Sequence, residues 1–326
     1  MQPTRTDDRP PSPSASTDET LWAITTYFNP VHYRSRRRNY QVFRELLPVP
    51  LIAIEYSVDE FELQEPDADI LIRLRGRDVL WQKERLYNIA RRHLPSHCKQ
   101  VLWIDCDIVL GGPDWPERLK ATLRTHAMVQ PFHRLALLGP RVRPPPERDD
   151  QIIDWRTSLV AYLAHGGDAS TLFSVWGKSL QLKYFHGGAW AARRDVCDTF
   201  EFYDRLIVGG GDKVFTSAVF GRHEDVAPTF AFDDRYRHDY LRWAGDLRDR
   251  LTGTLGFVDA TAYHLWHGAI SNRGYDDRQR KLQEAGFRAM EDLALDVDTG
   301  CWRWATDKPA LHEYVRSHFI RRREDG

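Results

Sequence analysis

The chain reads as an α/β protein built on a doubly wound, mostly parallel sheet flanked by helices, and three observations carry that reading. Strand-length apolar runs alternate with helix-length amphipathic segments over the first 110 residues, the pattern of successive strand–helix–strand units. With 326 residues the chain can bury a sizeable core. The run Val101-Leu102-Trp103-Ile104-Asp105-Cys106-Asp107-Ile108-Val109-Leu110 sets two carboxylates into a segment otherwise suited to a buried strand. That placement is costly unless each carboxylate is paired, hydrogen-bonded or bound to a cation.

Residues 1–20 are rich in Pro, Ser, Thr and Asp and poor in apolar side chains, so they are expected to form a disordered tail. A first strand follows at 21–27 and stops at Phe28-Asn29-Pro30, where proline removes a ladder donor. A basic helix is expected at 31–47, a second strand at 50–57 and a short third at 69–74. Over 78–93, Val79, Leu80, Leu86, Ile89 and Ala90 give one apolar helix face, ended by Pro95. After the aspartate strand come a helix near 115–125 and a strand at 127–132, and the proline- and charge-rich stretch 139–150 is expected to be an exposed loop. A strand around 184–192, helices at 194–208 and 212–220 and a late strand at 257–265 complete the core, with a helical extension over 281–326. No internal repeat is visible.

Lys plus Arg number 46 against 47 Asp plus Glu, a formal net charge of -1, so no global field favours nucleic acid or an anionic membrane. Charge-driven recognition must be local. The four cysteines, Cys98, Cys106, Cys197 and Cys301, show neither a close pair nor metal-finger spacing, which suits a reducing cytoplasm. No run approaches a membrane span and the N-terminal stretch lacks an apolar core, leaving at most peripheral membrane contact.

In an extended segment, side chains at i and i+2 share a face, so Asp105 and Asp107 are expected to converge while Cys106 points away. Paired carboxylates suit a hard divalent cation able to bridge the oxygens of a diphosphate. The plainer alternative is a pair of strand-end aspartates capping the turn at Gly111-Gly112-Pro113. Ligands of doubly wound sheets bind beyond the carboxyl ends of the strands, where both aspartates fall.

Four further clusters are candidates. In Thr25-Thr26-Tyr27-Phe28-Asn29-Pro30, Thr25, Tyr27 and Asn29 could hold a nucleobase or ribose, against an ordinary strand-to-turn transition. Trp81 to Asn88 would present Lys83, Arg85 and Asn88 before the aspartate strand, as diphosphate contacts or as a solvated helical face. Phe185-His186-Gly187-Gly188-Ala189-Trp190 and Val208-Gly209-Gly210-Gly211-Asp212-Lys213 carry glycines that let a backbone approach a ligand closely. Asp212 is then a general base, with a helix N-cap as the alternative. In Tyr263-His264-Leu265-Trp266-His267-Gly268, two histidines three apart cannot form a zinc site alone, yet one could complete a coordination begun by the aspartates. Asn272-Arg273 supplies polar groups just beyond.

Taken in order, these segments resemble nucleotide-sugar-dependent glycosyltransferases of the GT-A fold. The resemblance rests on Asp105-Cys106-Asp107 as the Asp-X-Asp motif, on Gly187-Gly188-Ala189-Trp190 and Gly209-Gly210-Gly211-Asp212 as acceptor-side segments, and on His264-Leu265-Trp266-His267-Gly268 as the late metal segment. It covers about 21–280, which becomes a GT-A-like domain with a Rossmann-like nucleotide-binding half. It implies a metal-dependent, cytoplasmic, bacterial-style enzyme of the hexosyltransferase class, moving a sugar from a nucleoside-diphosphate sugar, UDP-sugar first, to an acceptor hydroxyl on a glycan or glycan precursor. Asp107 and His267 become ligands of Mn²⁺ or Mg²⁺, with His264 the competing histidine, and Asp105 a metal or ribose contact. An imidazole ligand tilts the metal towards Mn²⁺. Thr25, Tyr27, Asn29, Lys83, Arg85 and Asn88 face the donor; Gly187, Gly188, Trp190 and Arg273 face the acceptor or the leaving group. Asp212 takes the acceptor proton if the reaction inverts, or binds the acceptor if it retains. Inverting relatives often carry two adjacent acidic residues where this chain has Asp212-Lys213.

Two other readings compete. A nucleotidyltransferase would more often carry a glycine-rich basic loop after the first strand, which Thr25 to Pro30 lacks. A noncatalytic nucleotide- or glycan-binding protein would use the 11 tryptophans as sugar-stacking platforms.

Overall fold

A strand buried on both faces belongs inside a sheet covered by helices, and every residue of Leu51–Ser57 is buried. The computed structural model describes residues 20–169, 172–173, 184–230, 232–275 and 277–326. The tail expected at 1–20 lies outside the described residues except for Thr20, which opens the first strand. In chain order the strands are β1 (Thr20–Tyr27), β2 (Leu51–Ser57), β3 (Ile70–Arg75), β4 (Cys98–Ile104), β5 (Ile108–Leu110), β6 (Met128–Gln130), β7 (Arg134–Leu138), β8 (Ile152–Ser158), β9 (Tyr184–Phe185), β10 (Ala189–Arg193), β11 (Leu255–Phe257), β12 (Thr261–His264), β13 (Leu293–Leu295) and β14 (Trp302–Trp304). The helices are α1 (Arg34–Leu46), α2 (Lys83–Ala90), α3 (Trp115–Leu123), α4 (Leu159–Ala164), α5 (Arg194–Cys197), α6 (Gly211–Val219), α7 (His223–Val226), α8 (Asp234–Arg250), α9 (Arg278–Glu284), α10 (Ala289–Asp292) and α11 (Pro309–Arg321).

The main sheet has the order β11-β6-β10-β4-β1-β2-β3. All its strands run parallel except β10, which is antiparallel to both neighbours. Alternation splits the core as a pleated sheet requires. Ile52, Ile54, Val101 and Trp103 pack with Leu86 and Ala90 of α2 and with Val214 and Ala218 of α6. Leu51, Ala53, Leu102 and Ile104 pack with Tyr40 and Phe43 of α1 and with Trp115, Leu119 and Leu123 of α3. Helices therefore cover both faces, the doubly wound arrangement expected from the strand–helix alternation. A second sheet, β5-β12-β7-β8-β9, lies beyond the carboxyl ends of the first, and β13 and β14 pair alone.

Three runs expected as single strands each break and change sheets. The aspartate run leaves the main sheet at Ile104, turns at 105–107 with Ile108 N–H donating to Asp105 O at 3.0 Å, and re-enters as β5 against β12. Asp105 and Asp107 thus sit on a turn and do not share a pleated face. The run at 184–192 divides into β9 and β10 at His186-Gly187-Gly188, and the run at 257–265 divides into β11 and β12. All three crossings lie where the two sheets meet.

Other boundaries also moved. The helix expected at 78–93 begins as an α-helix only at Lys83, because Trp81 N–H is taken by Ile207 O and the Gln82 side chain by the backbone of Trp302. Only Arg194–Cys197 of the helix expected at 194–208 forms; beyond it Phe200 and Phe202 enter the core around Trp103, and Asn88 binds the Phe202 N–H and C=O that a helix would have used. The longest helix, α8, was not anticipated, although Asp233 caps Tyr236 N–H and Tyr236, Tyr240, Ala244 and Leu247 form its buried stripe. The C-terminal extension contains the β13–β14 pair as well as helices. The stretch 139–150 carries no α-helix or strand, as expected of a loop. All four cysteines are free, and no described helix is long and apolar enough to cross a membrane.

Candidate functional site

Two of the sheet crossings, at 105–107 and at 186–187, border a cavity of about 320 Å³ at the carboxyl ends of β1 and β4. Residues from the turn at 105–107, from 184–187, from 209–213 and from the segment after β12 meet in its walls. It occupies the position where open α/β sheets bind ligands.

One wall carries a group of metal-ligating side chains. His264 ends β12 opposite Ile108, and Leu265 N–H donates to Asp107 O at 2.8 Å, which fixes the two segments in register. His264 Nε2 lies 3.7 Å from one Asp107 carboxylate oxygen, His267 Nε2 lies 3.2 Å from the other, and the two imidazole nitrogens are 3.1 Å apart. Their ligand atoms all fall within 4.8 Å of one another. Burial, reinforced by the Arg273 charge, lowers both histidines to about 3, so each imidazole is neutral with a lone pair to give. One carboxylate and two neutral imidazoles fit a divalent cation between hard and borderline, Mn²⁺ ahead of Mg²⁺. The expected choice between His264 and His267 is not forced, because both converge on Asp107.

The remaining face of His267 is supported from the far end of the chain. Its Nδ1 is 3.6 Å from Glu324, a fully buried carboxylate that Arg36 and Arg322 also bind. Burial pushes Glu324 up, but the two guanidiniums outweigh it and hold the carboxyl well below the usual range. Gly268, at φ +87°, lets the backbone of 322–324 pass close against it; a Cβ there would lie 2.8 Å from Arg322 O.

Asp105 belongs to a different group. Lys83, the first residue of α2, places Nζ 3.0 Å from Asp105 and 2.9 Å from Asp212, and Tyr87 O–H donates to Asp105 at 3.3 Å. Burial opposes the charge on Lys83, yet the two carboxylates hold it well above its ordinary value. Burial raises Asp105 to about 7 against the pull of Lys83, with Asp212 and Asp107 adding to the rise. Asp105, expected as a metal contact, is therefore directed to Lys83 and not to the histidines. Asp212 lies in the first turn of α6, whose N-cap is Gly210, so the capping alternative does not hold and its carboxylate is directed to Lys83. Gly187 gives it room: a Cβ there would come within 2.5 Å of Asp212 Oδ2.

Several expected contacts lie outside the cavity. On β1 and just after it the residues that line it are Thr26 and Phe28. Thr25 is buried with its hydroxyl on Ile104 O, and Tyr27 is buried with its hydroxyl on Glu62. Asn29 anchors Tyr33 N–H and C=O. Arg85 turns towards the C-terminal region, donating to Gly300 O at 2.6 Å and pairing with Asp204, and Asn88 clamps Phe202. Trp190 is in the core with Nε1–H on His186 O, and Gly188 accepts the Asp105 N–H. Gly187 and Arg273 do line the cavity; Arg273 is buried, donates from Nη1 to the Tyr275 hydroxyl oxygen, and leaves Nε without a partner among the described residues.

Glu84, Lys213, Tyr275, Arg278 and the Arg36–Glu324–Arg322 cluster were not singled out from sequence. Glu84 is buried under Gly211, makes no hydrogen bond with either oxygen, and is raised by burial to about 7. Glutamate beside a candidate lysine at a helix start was a visible signal; the approach of Glu324 to His267, across 57 residues of sequence, was not.

No protein-family model and no curated protein sequence matches the chain. Among solved structures it is similar to glucosyl-3-phosphoglycerate synthase from Mycobacterium tuberculosis in complex with Mn²⁺, uridine diphosphate and phosphoglyceric acid, at 14% identity over 90% of each chain with a TM-score of 0.43. The same protein with Mg²⁺ and uridine diphosphate aligns at 16% identity over 89% of this chain and 88% of that one, with a TM-score of 0.40. At that level of likeness, the chemistry of the cavity carries the functional reading.

Proposed function

We propose that the protein is a metal-dependent glycosyltransferase of the GT-A kind, moving a sugar from a nucleoside-diphosphate sugar to an acceptor hydroxyl. The observation that carries the reading is the sharing of one cavity by the Asp107–His264–His267 group, a buried arginine, Arg273, without a carboxylate partner among the described residues, and a carboxylate positioned by Lys83. Asp107, His264 and His267 hold the cation. When bound, it neutralises charge gathering on the leaving diphosphate. Arg273 places a guanidinium beside the same oxygens, where a planar donor fork suits phosphate. Asp105, fixed by Lys83 and Tyr87, accepts hydrogen bonds from donor hydroxyls.

In the transfer the acceptor oxygen bonds to the anomeric carbon as the bond from that carbon to the diphosphate oxygen breaks. For inversion, Asp212 takes the acceptor's hydroxyl proton; for retention it holds the acceptor. The unpaired thiols suit the reducing cytoplasm, and a glycan or glycan precursor supplies the hydroxyl.

The test is thermal stabilisation of the purified protein by a panel of nucleoside diphosphates and nucleotide sugars, uridine nucleotides first, with Mn²⁺ and with chelator. Binding to the folded state raises the midpoint by mass action. The reading expects a metal-dependent shift with one nucleotide, and Asp212→Asn should keep that shift while transfer falls about 10²–10⁴-fold. No shift with any nucleotide would overturn it in favour of a noncatalytic glycan-binding protein.

A further inference from the structure

Among the described residues, three imidazoles line the cavity. His264 and His267 converge on Asp107, whereas His186 has been given no part. It stands half-buried at the crossing between β9 and β10, and neither of its ring nitrogens has a hydrogen-bond partner among the described residues. Nδ1 is closed off from solvent; Nε2 is not.

The neighbours of His186 in the chain decide which side of the cavity its ring serves. Phe185, just before it, turns to the metal side, with its ring 6.0 Å from that of His264. The His186 ring packs instead against Phe173 at 6.0 Å and Tyr184 at 6.3 Å. Gly187, just after it, lies against Asp212: a Cβ there would come 2.5 Å from Asp212 Oδ2 and 2.9 Å from Asp212 Cβ. His186 is therefore one residue removed from direct contact with the Asp212 side chain, on a wall apart from the metal group.

Burial lowers the imidazole to about 4, with the Asp212 charge opposing, so the ring is neutral and carries one N–H. On Nδ1 that hydrogen would be a buried donor with nothing to accept it, which is the rarer and costlier kind of orphan. On Nε2 it meets the open side of the ring, where a ligand oxygen can accept it. An uncharged donor steadied by two aromatic rings suits a neutral hydroxyl better than an ion. We propose that His186 is an acceptor-binding residue whose Nε2–H donates to an acceptor hydroxyl on the carbon next to the one whose hydroxyl Asp212 holds. The proposal rests on the glycosyl-transfer reading and deepens it: the acceptor is selected as a vicinal diol, the grouping a sugar ring carries.

The test supplies Mn²⁺ and a nucleotide sugar, UDP-glucose first or whichever donor the panel selects, together with methyl α-glucoside or, as a single-hydroxyl control, 1-propanol. It measures how the released sugar divides between the added acceptor and water. The wild type should capture the sugar on the glucoside in preference to the propanol. His186→Phe keeps a packed ring and removes both nitrogens; it should lower the ratio of glucoside capture to hydrolysis at least about fivefold, the usual worth of one hydrogen bond. Hydrolysis and the nucleotide's Kd should move less than about threefold, because water and the donor do not use this ring. His186→Gln, with a neutral N–H near the place of Nε2, should recover part of the capture and so separate the lost hydrogen bond from lost packing. A His186→Phe ratio within about twofold of wild type, equal capture of propanol and glucoside, release to water alone, or a parallel loss of nucleotide affinity would overturn the proposal. If the wild type consumes no nucleotide sugar, the transfer reading fails by itself. The ¹⁵N signals of the His186 ring then decide: an Nε2-protonated ring that shifts with methyl α-glucoside leaves the hydroxyl-binding site standing, and an unmoved ring removes it.

Discussion

Replacing Glu324 by glutamine keeps the side chain's shape and removes one buried charge whose partners are known. Arg36 donates to it from Nε at 2.5 Å and Nη2 at 2.8 Å, Arg322 donates from Nε, and His267 Nδ1 lies 3.6 Å away. Arg322 is itself buried and Arg36 is only 18% exposed. Stranding such charges costs about 3–5 kcal/mol in stability. A partner that orients a ligating imidazole contributes about 10–100-fold to metal affinity, or about 1.4–2.7 kcal/mol. Free Mn²⁺ can be followed by electron paramagnetic resonance during titration, at a temperature where circular dichroism shows the variant folded. Glu324→Gln should bind Mn²⁺ at least tenfold more weakly, and Glu324→Asp should recover part of the affinity. A folded Glu324→Gln variant with affinity within twofold of wild type would refute the claim that Glu324 orients His267.

Gly187→Ala should displace the Asp212 carboxylate, since the new Cβ would come 2.5 Å from Oδ2 and 2.9 Å from Asp212 Cβ; kcat should fall at least tenfold, as misplacement of a reacting group does, with Mn²⁺ affinity unchanged, and an unaltered kcat would count against Asp212. Glu84→Gln tests the buried carboxyl. Burial raises the folded-state pKa of Glu84 from 4.5 to about 7, so its favourable contribution is present below the unfolded value and is lost as pH rises through the folded one. The stability of Glu84→Gln relative to wild type, from urea unfolding, should therefore improve by about 2–3 kcal/mol between pH 5 and pH 8. An equal difference at the two pH values would contradict it.

Local pattern was enough for the sheet's first half, because β2 is buried throughout, β4 is buried except at Lys99, β1 buries one whole face, and α1 buries one stripe. It failed where one apolar run serves two sheets. The aspartate, glycine and histidine runs keep strand character across their breaks, and nothing local says that Ile104 and Ile108 pair in different sheets. The same breaks decide the site. With Asp105 and Asp107 on a turn, one reaches Lys83 and the other the histidines. At the end of β1 the expectation fell one residue out of phase: Thr26 and, just past the strand, Phe28 face the cavity, while Thr25 and Tyr27 point into structure. Arg85 and Asn88 carry the residue types of a phosphate contact but satisfy backbone carbonyls and Asp204 in the described fold. Glu324 and Arg278 come from the C-terminal segments, and only tertiary packing brings them to the cavity.

The most direct measurement is calorimetric binding of uridine diphosphate and the other nucleoside diphosphates, with Mn²⁺ and with chelator, to the wild type and to Asp107→Ala. The account predicts that one nucleotide binds the wild type only with Mn²⁺, and that Asp107→Ala, folded and still holding Lys83 on Asp105 and Asp212, loses that binding by at least about a hundredfold, the upper end of what even an outer-shell partner contributes to metal affinity. Equal nucleotide affinity in the variant, or in chelator, would contradict the assignment of Asp107, His264 and His267 as the metal site.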